Sequence, residues 1–164
     1  MNIFGAVGWK TSGKTGLMER LVTEITGRGF SVSTIKHAHH SFDVDHEGKD
    51  SHRHRVAGAR QGLLASRNRW ALMHELRDED EPSLGELLLQ ISPVDLVLIE
   101  GYKRDDHAKI EAHRKETGQD LIAGTDGSIK AIASNTRHPD MAIPVLDLDD
   151  TKAVADFILG QVGL

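Results

Sequence analysis

An α/β fold, with a mostly parallel sheet flanked by helices and an added β-hairpin, is predicted by three observations on these 164 residues. Short apolar runs, among them Ile3–Val7 and Val94–Ile99, read as strands buried on both faces. Helical apolar spacing separates them, first at Leu17, Leu21, Val22 and Ile25. Polar segments follow the strands directly, at the edge where open α/β sheets bind ligands.

The first strand runs into Gly8-Trp9-Lys10-Thr11-Ser12-Gly13-Lys14-Thr15, and a helix follows at once. Glycine, four residues, then Gly-Lys-Thr is the P-loop pattern, and strand before and helix after are its required context. The helix N-terminus faces an anion with unpaired N–H groups and the positive end of its dipole. Gly8 and Gly13 let the backbone turn tightly against phosphate. Lys14 places a cation on the outer phosphates, and Thr15 offers its hydroxyl to Mg²⁺. Trp9, Lys10, Thr11 and Ser12 line the loop, and Gly16 opens the helix. A dinucleotide fingerprint fits worse, because the glycine spacing differs and no clear acidic residue ends the second strand. The chain is therefore expected to be one P-loop NTPase-like, three-layer nucleotide-binding domain over residues 1–164.

Gly27-Arg28-Gly29 stops the first helix, and the β-branched run Phe30–Ile35 completes a βαβ unit. The polar stretch Lys36–Arg55 then holds six of the ten histidines: His37, His39, His40, His46, His52 and His54. It also holds Asp43, Asp45, Glu47 and Asp50. Asp50-Ser51 is expected to cap a helix running to about Ala59. Gly62–Ser66 and Trp70–Met73, around Arg67-Asn68-Arg69, read as a hairpin, and acidic Leu76–Pro82 as a loop. Ser83 with Glu86 forms a capping-box pattern for a helix to Ile91. Beyond Pro93 lies the apolar strand ending in Glu100-Gly101, followed by a short strand Ile110–His113. Leu121–Ala123 and Ile129–Ala133 flank an Asp126-Gly127 turn. Pro144–Leu146 is the last strand, and Asp149 or Asp150 caps a terminal helix with Val154, Phe157 and Ile158 on one face.

Composition excludes several classes. With 25 acidic and 20 basic residues the net charge is −5, and no long basic face suggests nucleic-acid binding. The absence of cysteine excludes disulfide scaffolds, thiol catalysis and cysteine-ligated metals. Met1-Asn2-Ile3-Phe4 lacks a basic n-region, and no apolar run approaches membrane-helix length, so a cytoplasmic protein without membrane contact is expected.

Around the P-loop, Glu100 stands where such proteins keep an acidic residue for Mg²⁺ or its water; the bland reading is a solvated strand-end carboxylate. Asp95 opens the same strand at the wrong edge of the sheet and is expected to be structural. The histidine-rich stretch admits three readings: a transition-metal store, a loop contacting nucleotide or partner, or a solvated segment. Asp43 and Asp45 are candidates to hold Mg²⁺ or a water near the terminal phosphate, and equally turn residues. An Asn-Lys-x-Asp guanine motif is absent; Asn135-Thr136-Arg137 occupies a base-reading position or an ordinary turn. Trp70 and Phe157 read as core or interface.

The P-loop, the block Lys36-His37-Ala38-His39-His40-Ser41-Phe42-Asp43-Val44-Asp45, the following Gly48-Lys49-Asp50-Ser51, Asp95 to Lys103 and the ending Pro144 to Asp150 together resemble the molybdopterin-guanine dinucleotide biosynthesis adaptor (MobB) family over nearly the whole chain. The resemblance implies a cytoplasmic, homodimeric GTP-binding protein of molybdenum cofactor biosynthesis. It implies a MobA-type guanylyltransferase as partner, GTP and Mg²⁺ as ligands, the molybdopterin cofactor as a further ligand, and at most slow GTP hydrolysis. Carried over by position, Gly8 to Thr15 bind phosphates, with Gly16, His37, Gly101 and Asn135 in the nucleotide site. Thr15 and Glu100 are the Mg²⁺ ligands, and Glu100 and Asp45 are the catalytic candidates. Aspartate is expected where this chain has Asn135, so one acceptor for the base N–H groups is missing. Two other readings compete: a nickel-insertion GTPase, and a small-molecule kinase or ligase of the dethiobiotin-synthetase kind.

Overall fold

A computed structural model describes residues 1–38 and 42–164, so His39, His40 and Ser41 of the histidine block lie outside the described residues. In chain order the elements are β1 Asn2–Val7, α1 Lys14–Gly27, β2 Val32–Lys36, α2 Asp50–Val56, β3 Gln61–Ala65, β4 Trp70–His74 and α3 Leu84–Leu88. They continue as β5 Leu96–Glu100, β6 Lys109–His113, β7 Ile129–Ser134, β8 Val145–Asp147 and α4 Thr151–Val162. Two compact units result: Met1–His37 with Ile91–Leu164, and Ala38–Gln90.

The first unit is a six-stranded sheet in the order β2-β5-β1-β6-β7-β8. Every pairing is parallel. Alternate strand residues Phe4, Ala6, Leu96, Leu98, Ile110, Ala131 and Ala133 form one core with Leu17, Leu21 and Ile25 of α1 and Val154, Ile158 and Leu159 of α4. The residues between them, Val7, Val97, Ile99 and Ile132, are buried as well. Burial on both faces explains the unbroken apolar runs. This is the P-loop NTPase-like sheet flanked by helices that the sequence predicts. Phe157 lies against this core, edge-on to Phe4 at 6.5 Å.

The register aligns the functional residues. Ala6 and Lys36 both pair with Glu100, Val7 with Glu111, His113 with Ser134, and Ser134 with Asp147. One carboxyl edge therefore carries, in order, Lys36, Glu100, the loop after Val7, His113, Ser134 and Asp147. Asp95 sits at the opposite edge, where its carboxylate accepts from Ser31 N–H and Oγ–H at 2.7 and 2.6 Å. Its structural reading agrees with that placement.

Two local expectations are corrected. Residues 121–123 are not a strand. Ile122–Gly124 is a 3₁₀ turn whose first N–H groups, Ile122 and Ala123, donate to the buried Glu111 carboxylate at 2.9 and 2.8 Å. Burial pushes that carboxyl above the usual carboxylate range, against the pull of the two N–H donors. Lys49, not Asp50, is the N-cap of α2; Asp50 is its first residue, where a carboxylate still suits the dipole.

In the second unit, β3 and β4 pair as the expected antiparallel hairpin, with Leu63 opposite Leu72 and Ala65 opposite Trp70. The predicted capping box caps α3: Ser83 Oγ accepts from Glu86 N–H, and Glu86 accepts from Ser83 N–H. Asp45 is turned to Arg55, whose Nη2 donates to it at 2.8 Å and to both Asp43 oxygens. The Asp45 side chain is almost wholly buried in that pair. Hydrogen bonds within the cluster, with Asp45 and then Arg55, hold the Asp43 carboxyl below its ordinary value. Trp70 is not core: it is 65% exposed.

Candidate nucleotide-binding site

The segment from Gly8 to Thr15 adopts a loop that only particular residues permit. Gly8 lies at φ +155°, and a Cβ there would stand 2.5 Å from both the Ala112 carbonyl oxygen and Ser12 Oγ. Gly13 lies at φ +89° and serves as N-cap of α1. Both are positions that side chains resist. Thr11 takes a left-handed φ of 64°, and Tyr102, just after Glu100-Gly101, one of 50°. Backbone held in such conformations concentrates at ligand sites.

The α1 N-terminus is bare. Gly13 provides no side-chain cap, and no acidic residue stands in the first turn. By contrast, α4 is capped by the Asp150 carboxylate on Ala153 N–H, and α3 by its capping box. A helix start without such partners satisfies its N–H groups with water or an anion.

Charge converges on the same point. Lys14 Nζ folds over the loop and donates to the Gly8 carbonyl at 3.3 Å. Burial lowers its pKa below the ordinary lysine value; Glu100 opposes the shift, while Lys103 and Lys36 reinforce it. Lys36 Nζ lies 3.4 Å from Glu100 Oε1. Lys14 and Lys36 thus stand near one carboxylate with Lys103 adding further positive charge, an excess that an anion relieves. Thr15 Oγ1 donates to the same Glu100 Oε1 at 3.3 Å. Two oxygens on adjacent corners of a Mg²⁺ octahedron are about 2.9 Å apart, so this hydroxyl and carboxylate need only small shifts to share the ion.

The remaining predicted residues take distinct places. Trp9 Nε1 donates to the Asp120 carbonyl at 2.8 Å, and Lys103 Nζ stands 4.2 Å above its ring. The Lys10 carbonyl accepts from Thr11 Oγ1 at 2.6 Å. Ser12 Oγ is buried without a partner in the loop. Gly16 lies in the first turn of α1, where an added Cβ meets nothing nearer than Arg20 Nη1 at 3.5 Å. His37 N–H donates to the Glu100 carbonyl at 2.9 Å, and its ring lies 4.8 Å from that of Tyr102. Gly101, at φ +95°, leaves room for His37: a Cβ there would stand 3.1 Å from His37 Cβ. Asn135 follows β7; its Oδ1 accepts from Lys115 N–H at 3.0 Å and its Nδ2 donates to Glu116 at 2.8 and 3.0 Å. Asp45 belongs to the other unit, in the Arg55 pair.

Sequence reasoning missed four participants at this edge. Lys36 ends β2 on Glu100, and the Arg114 side chain packs against Gly13, where an added Cβ would stand 2.9 Å from Nε. His113 Nδ1 and His138 Nε2 each lie 3.1 Å from the Ser134 hydroxyl. Burial, then the neighbouring His113, lowers the His138 pKa. The available signal was position: each ends or follows a strand whose other end was already recognised. Among the described residues, no three His, Asp or Glu side chains gather as a metal site. No helix among them is long and apolar enough to cross a membrane.

Residues 3–135 match the family model described as molybdopterin guanine dinucleotide synthesis protein B (MobB). The molybdopterin-guanine dinucleotide biosynthesis adapter protein of Escherichia coli (strain K12) is 39% identical over 92% of this chain and 87% of its own length. That of Haemophilus influenzae is 40% identical over 95% and 86%. A crystal structure of a MobB homologue from Bacillus stearothermophilus superposes with a TM-score of 0.76 at 27% identity, covering 99% of both chains. Bacillus subtilis MobB gives 0.78 at 26%, covering 99% of this chain and 98% of that one. With the sheet order, the P-loop and these likenesses in agreement, the chain belongs to the MobB family of molybdopterin guanine dinucleotide synthesis proteins.

Proposed function

We propose that this MobB-family chain is a cytoplasmic guanine-nucleotide-binding adapter, which holds GTP with Mg²⁺ at the P-loop and assists a MobA-type guanylyltransferase in making molybdopterin guanine dinucleotide. The observation that carries the reading is the 3.3 Å approach of Thr15 Oγ1 to Glu100 Oε1 beside an uncapped α1 N-terminus. The names of the relatives supply the adapter role. Thr15 and Glu100 would hold the ion, which neutralises charge on the outer phosphates when bound. Lys14 exchanges the Gly8 carbonyl for phosphate oxygens, and the loop N–H groups cradle the inner ones. Turnover is slow, because Glu100 is committed to the metal and Asp45 to Arg55.

A homodimer is part of the same reading. On one face of the hairpin Leu63, Trp70 and Leu72 are 65, 65 and 45% exposed, and a lone two-stranded hairpin is marginal in water. A second copy covering this face accounts for both.

Calorimetry with GTP, GDP and ATP, each with Mg²⁺, tests the function. Tight GTP binding with little hydrolysis, and faster guanylyl transfer when the chain is added to a MobA-type enzyme, are expected. ATP preference with turnover on a small acceptor would replace the adapter with the kinase or ligase reading. Stoichiometric nickel binding would favour metal insertion.

A further inference from the structure

The P-loop fixes the direction in which a nucleotide lies. Thr15 meets Glu100 on the β5 side of the loop, so the metal and outer phosphates belong there. The nucleoside must lead away along the carboxyl edge, toward β6, β7 and β8. The first structure on that side is the segment after β6. It is tethered to the P-loop at both ends: Arg114 packs against Gly13, and the Asp120 carbonyl accepts from the Trp9 indole at 2.8 Å. Between the tethers lies a 3₁₀ turn, Lys115–Thr117, closed by Gly118 at a left-handed φ of 62°. Thr117 Oγ1 braces it by donating to the Arg114 carbonyl at 2.8 Å.

Asn135 locks this turn from the end of β7. Its Oδ1 accepts from Lys115 N–H at 3.0 Å, and its Nδ2 donates to Glu116 Oε2 at 2.8 Å and Oε1 at 3.0 Å. The amide sequence reasoning offers as a base reader is therefore engaged in holding a carboxylate. That carboxylate is exposed, and each oxygen has two acceptor sites, of which the Asn135 amide engages one. The Asn135 hydrogen bond holds the Glu116 carboxyl below its ordinary value, so it is an anion at neutral pH.

Guanine presents two adjacent donors on its Watson–Crick edge, N1–H and N2–H, which a carboxylate accepts in parallel. Adenine presents a lone pair at N1, which a carboxylate repels. We infer that Glu116, positioned by Asn135, reads the Watson–Crick edge of guanine and selects guanine over adenine nucleotides in this chain. The acceptor missing at position 135 is thus supplied by Glu116. This inference rests on the nucleotide reading above.

The test uses the full chain with Mg²⁺ and measures affinity for GTP, ATP and XTP. Wild type is expected to prefer GTP. Glu116→Gln should lower GTP affinity at least about tenfold, leave ATP affinity unchanged, and raise XTP relative to GTP, because the Gln amide can donate to the C2 carbonyl of xanthine. Asn135→Ala should cause a smaller loss confined to GTP, the signature of a positioning residue. Glu116→Ala should lose GTP preference without gaining XTP. Equal losses for GTP and ATP in Glu116→Gln would show a general defect and overturn the inference. An unchanged GTP/ATP ratio would overturn it while leaving the nucleotide reading intact. A wild type that binds none of the three removes both.

Discussion

The parallel sheet and the hairpin unit deal with their apolar residues in opposite ways. In the sheet, Phe4, Leu98 and Ile110 on one face and Val97, Ile99 and Ile132 on the other are all within 1% of full burial. In the hairpin, Leu63, Leu64 and Trp70 are more than half exposed. The two units differ also in their helix starts: α1 leaves its N-terminus bare, whereas α3 carries a complete capping box. A unit that finishes its own core has a helix end to spare for a ligand. A unit that caps its helix but leaves its strands uncovered is shaped for a protein surface. On the proposed reading, ligand and partner map to different parts of one short chain. The tryptophans give a reporter for each, Trp9 in the sheet unit and Trp70 in the hairpin.

The sharpest way to break this division is at Lys14. Lys14→Ala should cost about 2–4 kcal/mol of GTP affinity by calorimetry, for losing a charge-assisted contact, and leave association through the hairpin intact. A loss of association in that variant would show that the units do not act separately. Gly8→Ala comes next. Its methyl would strike the Ala112 carbonyl, so about 1–3 kcal/mol of stability should vanish, visible as earlier thermal unfolding in the Trp9 signal. On the other side, Trp70→Glu should shift sedimentation to the monomer while the GTP affinity per chain stays within a factor of about two.

A pH series gives the smallest effect and separates the units by chemistry. Burial lowers the pKa of His107 and of His138, both in the sheet unit. A base whose folded pKa is depressed gives stability that is present above its unfolded pKa, about 6.5, and is lost as pH falls below that. Asp43 in the other unit is a depressed carboxyl, so its contribution is lost only as pH falls below about 4. The raised Glu111 carboxyl of the sheet unit works the other way in this window, so in a Glu111→Gln variant acidification between these limits should advance thermal unfolding in the Trp9 signal more than in the Trp70 signal. Equal shifts, measured on single-tryptophan variants, would contradict the assignment.

The contrast also explains what was legible in the sequence. The P-loop and Glu100 were visible because each follows a strand whose apolar run is unmistakable, and a parallel register brings strand ends together. The capping box at Ser83 was visible because it is a contact between near neighbours. The reading of residues 121–123 as a strand failed because the cap that turns them is Glu111, on another element. Asn135 and Glu116 are 19 residues apart, and their hydrogen bond follows from the pairing of β6 with β7, which no local pattern records. Asp45 and Arg55 are ten residues apart, a spacing that carries no periodic signal, so their pairing was not legible.

The bare start of α1 carries a consequence for how much of the protein a cell keeps. On the proposed reading the ligand is the cap. Whatever binds only the folded chain adds RT ln(1 + [L]/Kd), or about 2.7 kcal/mol at a hundredfold excess over Kd. The empty chain is the more readily opened and degraded form, so the standing amount of adapter would follow the guanine nucleotide pool, rising with supply of the very nucleotide its pathway consumes.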